Sequence, residues 1–180
     1  MRTFLALDPP EPMRDALDNL VEGLRCGRHV DIDDLHLTLA FMADAPLSAL
    51  EELNLDLEML RPGPVPLEIR GLGTFGSEHP RLVYAAAEPH PALLHLQKKL
   101  ATTIRRAGID LPATRFVPHV TLARFPHRMP PEDHARLARF LSAHGRFRLE
   151  AHVIDTVSLY RSTVTHHGSR YELLESYPLT

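Results

Sequence analysis

The sequence predicts an α+β fold in which two pseudo-symmetric lobes of mainly antiparallel sheet carry their helices outside and leave a groove between them. Three observations predict it. Strand-like runs and amphipathic helical stretches follow the order strand, helix, strand, helix, strand, strand, and that order occurs twice. The stretch His36-Leu37-Thr38-Leu39-Ala40 returns as His119-Val120-Thr121-Leu122-Ala123. Landmarks of the two copies (Phe4 and Val83, His36 and His119, Phe75 and Tyr160) stand at a near-constant spacing of about 80 residues, which reads as an internal duplication.

In chain order, Thr3 to Leu7 is a short apolar run that reads as a buried strand, stopped by Asp8-Pro9-Pro10. Residues 11 to 24 place Met13, Ala16, Leu17, Leu20, Val21 and Leu24 at helical spacing. A polar loop from Cys26 to Asp34 leads to a strand over Leu35 to Met42 that carries the first H-x-T-x motif. A second helix over 46 to 60 ends at Arg61-Pro62-Gly63-Pro64, because proline cannot continue a helix. Strands follow at Val65 to Gly71 and Leu82 to Ala87, with Gly71 to Gly76 between them as a glycine-punctuated loop. Pro91 suits the first turn of a third helix that stops at Gly108. Phe116 to Phe125 holds the second motif, with Pro118 near the strand start, where a missing N–H is tolerated. Pro130-Pro131 opens a fourth helix that runs to His144-Gly145. Two long strands, Arg146 to Arg161 and Arg170 to Leu179, close the chain around a turn at Thr165 to Ser169.

A chain of 180 residues makes one domain. Its internal halves run roughly over 1–80 and 81–180, with no flexible linker between them. The net charge of −3 excludes a general nucleic-acid coating function, so any nucleic-acid contact has to be local. A single cysteine, Cys26, excludes an intramolecular disulfide framework and a cysteine-based zinc site. The apolar run at the N-terminus is too short for a signal peptide, and no window suits a membrane span, so a cytoplasmic monomer is expected.

A strand repeats every two residues, so His36 and Thr38 share one face, as do His119 and Thr121, with the imidazole and hydroxyl about 7 Å apart. The leucines of each motif face the helices. A twofold relation between lobes sets the two polar faces across the groove, an imidazole on each side of one bound group. That pairing suits acid–base cleavage of a phosphoester: an imidazole near pKa 6.5 works in either protonation state at cellular pH. Threonine hydroxyls donate to non-bridging phosphate oxygens. No metal or other cofactor is needed, and none of the zincin or EF-hand spacings is present.

At these residues the sequence resembles the 2H phosphoesterase superfamily, and within it the RNA 2′,3′-cyclic phosphodiesterase family, also called 2′-5′ RNA ligases. The likeness extends over Met1 to Leu7, Leu35 to Leu39, Gly71 to Phe75, Arg115 to Arg124, and the final Leu159-Tyr160-Arg161-Ser162 with Tyr171 to Leu174. It implies hydrolysis of a terminal 2′,3′-cyclic phosphate on RNA to a 2′-phosphate, with reverse 2′-5′ ligation at the same site. RNA with such ends, tRNA fragments included, is the implied partner. His36 is then the proton donor and His119 the base, with Thr38 and Thr121 on phosphate oxygens. Arg124 is a candidate for charge neutralisation that reaches the site only if the strand bends or ends after Ala123. Phe75 and Tyr160 are candidates to flank the base or ribose. The sequence departs from the family at Ala40 and Ala43, where arginine and glycine are usual; with Ala40 on the histidine face, one phosphate-pairing group is lost. Two alternatives stay open: a phosphodiesterase for a small cyclic phosphate nucleotide, and a non-catalytic module that binds RNA ends.

Overall fold

The two motif strands lie side by side at the centre of the molecule. The computed structural model describes residues 1–180 and contains nine strands and four α-helices. These are β1 (Thr3–Leu7), α1 (Glu11–Glu22), β2 (Arg28–His29), β3 (Leu37–Met42), α2 (Leu47–Glu58), β4 (Val65–Phe75), β5 (Leu82–Ala87), α3 (Pro91–Arg106), β6 (His119–Arg124), α4 (Pro131–His144), β7 (Arg148–Ile154), β8 (Thr156–Thr165) and β9 (Gly168–Pro178). The sheet order is β7-β4-β5-β6-β3-β1-β8-β9, with β2 added on β6. Every pairing is antiparallel, so the chain has the expected α+β class.

The junction between lobes is thin. β3 and β6 meet at one ladder pair, Leu37 with Val120, whereas β1 pairs with β3, and β5 with β6, over five positions each. The sheet therefore opens on either side of the motif strands and leaves clefts there. Beneath, one continuous cluster of 39 buried hydrophobic residues joins Leu37 and Leu39 with Val120 and Leu122, so the two lobes share a single core.

The helices form where their apolar stripes demand cover. α1 buries Met13, Leu17, Leu20 and Val21, opens after Pro10, and carries Glu11 in its first turn, where a carboxylate complements the exposed N–H groups. It packs against β6. α3 buries Leu93, Leu96, Leu100 and Ile104, ends with Arg105 and Arg106 in its last turn, and lies across β3 and β4. None of the helices is long and apolar enough to cross a membrane.

Three expectations change. The glycine segment after residue 70 is strand, not loop: β4 continues to Phe75. Gly71 absorbs a register shift with φ at +89°, and Gly73 lies against the Tyr84 ring. Glycine here marks a bulge and a close approach rather than a break. The strand expected over Arg146 to Arg161 is broken at Asp155. Before the break, β7 pairs with β4; after it, β8 pairs with β1, at the far side of the sheet. The polar loop over 26 to 34 contains β2 and a 3-10 turn at Ile32–Asp34, both too short to show a period.

Each lobe draws strands from both halves of the sequence. β4 sits beside β5, and β8 and β9 sit beside β1.

Candidate active site

His36 stands immediately before β3 and His119 opens β6. Extending the Leu37–Val120 register by one residue each way sets His36 opposite Thr121 and Thr38 opposite His119. Each imidazole is held in the same manner. His36 Nδ1 lies 2.7 Å from the carbonyl of Asp34, and His119 Nδ1 lies 2.6 Å from the carbonyl of Val117. A carbonyl only accepts, so Nδ1 carries the proton in both rings and donates it. Nε2 is then the free nitrogen of each ring: a lone pair when the ring is neutral, a donor when it is charged.

Aromatic walls fix the ring planes. Phe4 stacks on His36 with centroids 4.8 Å apart, and Tyr171 meets the same ring edge-on at 5.2 Å. Phe75 meets His119 edge-on at 4.9 Å, and Tyr84 packs beside it at 5.2 Å. Burial is the main reason both imidazoles titrate below the usual 6.5. For His36, the Asp34 carbonyl and the Asp8 carboxylate pull back up, while Arg124 and His119 push further down. For His119, the Val117 carbonyl raises and Arg124 lowers.

A matched pair of β-bulges shapes the groove face. In β3, Leu5 pairs with Ala40 and Ala6 with Thr38, which leaves Leu39 as the extra residue. In β6, Val83 pairs with Ala123 and Tyr84 with Thr121, which leaves Leu122 extra. A bulge reverses the face of everything after it. Arg124 thereby joins His36 in lining the site instead of pointing to the core. Its counterpart in the first motif is Phe41, exposed at the groove with the Arg2 guanidinium 4.8 Å above its ring. Ala40 packs into the core and also edges the cavity that His119 lines. The first motif's departure from the second lies at Phe41. The same register pairs Val83 with Leu5 rather than with Phe4 as its equivalent.

Two cavities flank the histidines. One of about 420 Å³ is lined by His36, Thr38, Arg2, Arg28, Arg124 and Tyr171, among others. The other, of about 1100 Å³, is lined by His119, Thr38, Phe75, Phe116 and residues of α3. Thr38 and Phe41 border both. Thr121 is half-buried beside His119 on β6 and lines neither cavity.

Tyr160 also lies outside both cavities, although register makes it the equivalent of Phe75. It stacks behind Phe4, at 5.3 Å, and its hydroxyl donates to Asp8 at 2.8 Å. Ser158 donates to the other Asp8 oxygen at 2.5 Å, and Arg14 stands 3.8 Å away. Burial, with the Asp8 carboxylate adding to it, raises the Tyr160 phenol to about 12. Tyr171 takes the wall position that Tyr160 was expected to hold. The difference is one of depth in the sheet stack, which alternation does not encode. Sequence reasoning also passed over Phe4, Tyr84 and Asp8. The aromatics carried a usable signal, since both lie on the strands paired with the motif strands. Asp8 was visible only as a strand stop. No group of three or more His, Cys, Asp or Glu side chains gathers as a metal site.

A family model described as the 2′-5′ RNA ligase superfamily matches residues 9–165. An RNA 2′,3′-cyclic phosphodiesterase of Geobacillus stearothermophilus is 27% identical over 82% of this chain, which spans 46% of that longer protein. One of Thermotoga maritima is 25% identical over 97% of this chain and 93% of its own length. A crystal structure of E. coli LigT complexed with NADP+ superposes with a TM-score of 0.75 at 26% identity, covering 99% of this chain and 97% of that one.

Proposed function

The chain belongs to the 2′-5′ RNA ligase superfamily, and from that premise we propose that it hydrolyses 2′,3′-cyclic phosphate ends of RNA to 2′-phosphates without a metal. The observation that carries this reading is the pair of imidazoles whose Nδ1 protons are both committed to backbone carbonyls. His36 lines one cleft and His119 the other, with Thr38 bordering both, and their free Nε2 atoms serve as one acid and one base. His119, neutral, takes a proton from water as its oxygen attacks phosphorus. The bond from phosphorus to the 3′ oxygen breaks, and His36, charged, gives its Nε2 proton to that oxygen. The O2′–phosphorus bond survives, which leaves a 2′-phosphate. The proton count is unchanged over a cycle once the two rings exchange protons with solvent.

The remaining groups complete the role. Thr38, which borders both cavities, donates to the non-bridging oxygens, and Arg124 neutralises their charge. The depressed imidazole pKa values favour the base. A bound phosphate anion beside His36 restores its proton, because an adjacent negative charge stabilises the charged ring. Run in the same direction with a 5′-hydroxyl in place of water, the same steps form a 2′-5′ bond. Support also comes from the curated names of the Geobacillus and Thermotoga relatives.

The test is product analysis on an oligonucleotide ending in a 2′,3′-cyclic phosphate, with a chelator present. Formation of 2′-phosphate, lost in His36→Ala and in His119→Ala, is the expected result. Formation of 3′-phosphate, or full turnover by both variants, would falsify the assignment.

A further inference from the structure

The wider cavity has a chemistry that the reacting phosphate does not need. It is lined by four cations, Arg81, Lys98, Arg105 and Arg115, and by no aspartate or glutamate, in a chain whose net charge is −3. Arg105 is occupied locally, donating to the Leu111 carbonyl at 3.3 Å. Arg81, Lys98 and Arg115 are exposed and have no carboxylate partner, whereas Arg70, Arg106, Arg136, Arg148 and Arg161 each hold one elsewhere on the molecule. Unpaired cations converging on one groove repel each other unless an external anion joins them. Between them stand the half-buried Phe75 and Phe116, which suit base stacking. The volume of about 1100 Å³ exceeds the ~300–1,000 Å³ of small-ligand clefts.

We infer that this groove binds the single strand of RNA leading 5′ from the cyclic end, with its phosphates on Arg81, Lys98 and Arg115 and a base on Phe116. Single-stranded rather than duplex RNA is indicated because the groove mixes cations with aromatic and apolar walls, the pattern of stacking platforms. His119 lines this groove, and Thr38 borders it and the His36 cleft alike, so a strand seated there brings its terminal phosphate to the histidine pair. The inference rests on the phosphodiesterase reading above and decides between its substrates, favouring an oligonucleotide over a cyclic mononucleotide.

Single-strand binding weakens with salt at a log–log slope of about −0.7 per phosphate contact. Three contacts give a slope near −2, so affinity falls about 18-fold from 50 to 200 mM salt; the variant Lys98→Ala/Arg115→Ala keeps one contact and loses about threefold. Two measurements read this. The first is fluorescence anisotropy of an oligonucleotide carrying a 2′-phosphate end, which requires no turnover. The second is the ratio of kcat/KM for a cyclic-phosphate hexanucleotide over a cyclic mononucleotide. A steep salt slope that flattens in the variant, with a matching fall in that ratio, supports the strand site. A flat slope in the native protein, or an equal loss on both substrates, overturns it. If neither substrate turns over but the oligonucleotide binds with the steep slope, the strand site stands and the catalytic reading fails.

Discussion

Gly73 gives the sharpest handle on how the sheet holds the site. A Cβ placed on it meets the Tyr84 ring at 2.5 Å from both Cζ and Oη and 2.9 Å from Cε2. Ordinary carbon contact begins at ~3.5 Å, so Gly73→Ala makes the ring retreat by about 1 Å. The backbone at Gly73 has no positive φ, so alanine is conformationally acceptable and the effect is steric alone. The ring has little freedom to retreat: Phe75 lies 4.5 Å away and His119 5.2 Å away, centroid to centroid. The push is therefore passed to the imidazole. Overpacking of this kind costs about 1–3 kcal/mol of stability, and displacing a catalytic group by about 1 Å costs on the order of 100-fold in rate. Urea unfolding and kcat/KM on a cyclic-phosphate oligonucleotide measure the two effects. Adding Tyr84→Ala removes the clash and restores part of the lost stability. Gly73→Ala with native stability and native kcat/KM would show that Tyr84 does not brace His119.

Other consequences are as direct. Arg124 lowers both imidazoles, so Arg124→Ala raises both pKa values in an NMR titration and costs about 10- to 100-fold in kcat/KM, the worth of a charge-assisted hydrogen bond; unmoved titrations would place its guanidinium away from the site. In the free protein both rings titrate below 6.5, so the bell of kcat/KM against pH centres below that value, and a bell centred above pH 7 would contradict the burial argument. The same shifts couple to folding: below pH 6.5 the unfolded chain takes up protons that the native rings refuse, so stability is lost as pH falls through that window and regained as pH rises. His36→Gln/His119→Gln flattens this part of the curve, and an unchanged slope in the variant would count against it. Tyr160→Phe deletes the hydrogen bond to Asp8 and lowers stability by about 1–2 kcal/mol with turnover retained, since the phenol lines neither cavity; a large loss of turnover would move Tyr160 into the site.

Much of this architecture is legible in the local sequence. The helices and the short strands β1 and β5 fall where periodicity placed them, because their burial pattern is a property of the local chain. His36, Thr38 and His119 border the flanking clefts for the same reason: alternation puts them opposite the leucines that the core requires. The route of Arg124 into the site was legible only as a condition, that the strand bend after Ala123.

The sequence by itself determined the duplicated motif, the α+β class and the face each motif histidine takes, since a few neighbouring residues encode which side of a strand is buried. The tertiary structure alone decided the rest. It set the bulges at Leu39 and Leu122 that turn Arg124 and Phe41 to the groove. It broke the chain at Asp155 and sent β8 to the opposite lobe. It also gathered Arg81, Lys98 and Arg115 from separate segments into one basic cleft. Each of these depends on which strand or helix lies alongside, and a partner distant in sequence leaves no periodic trace in the residues that meet it.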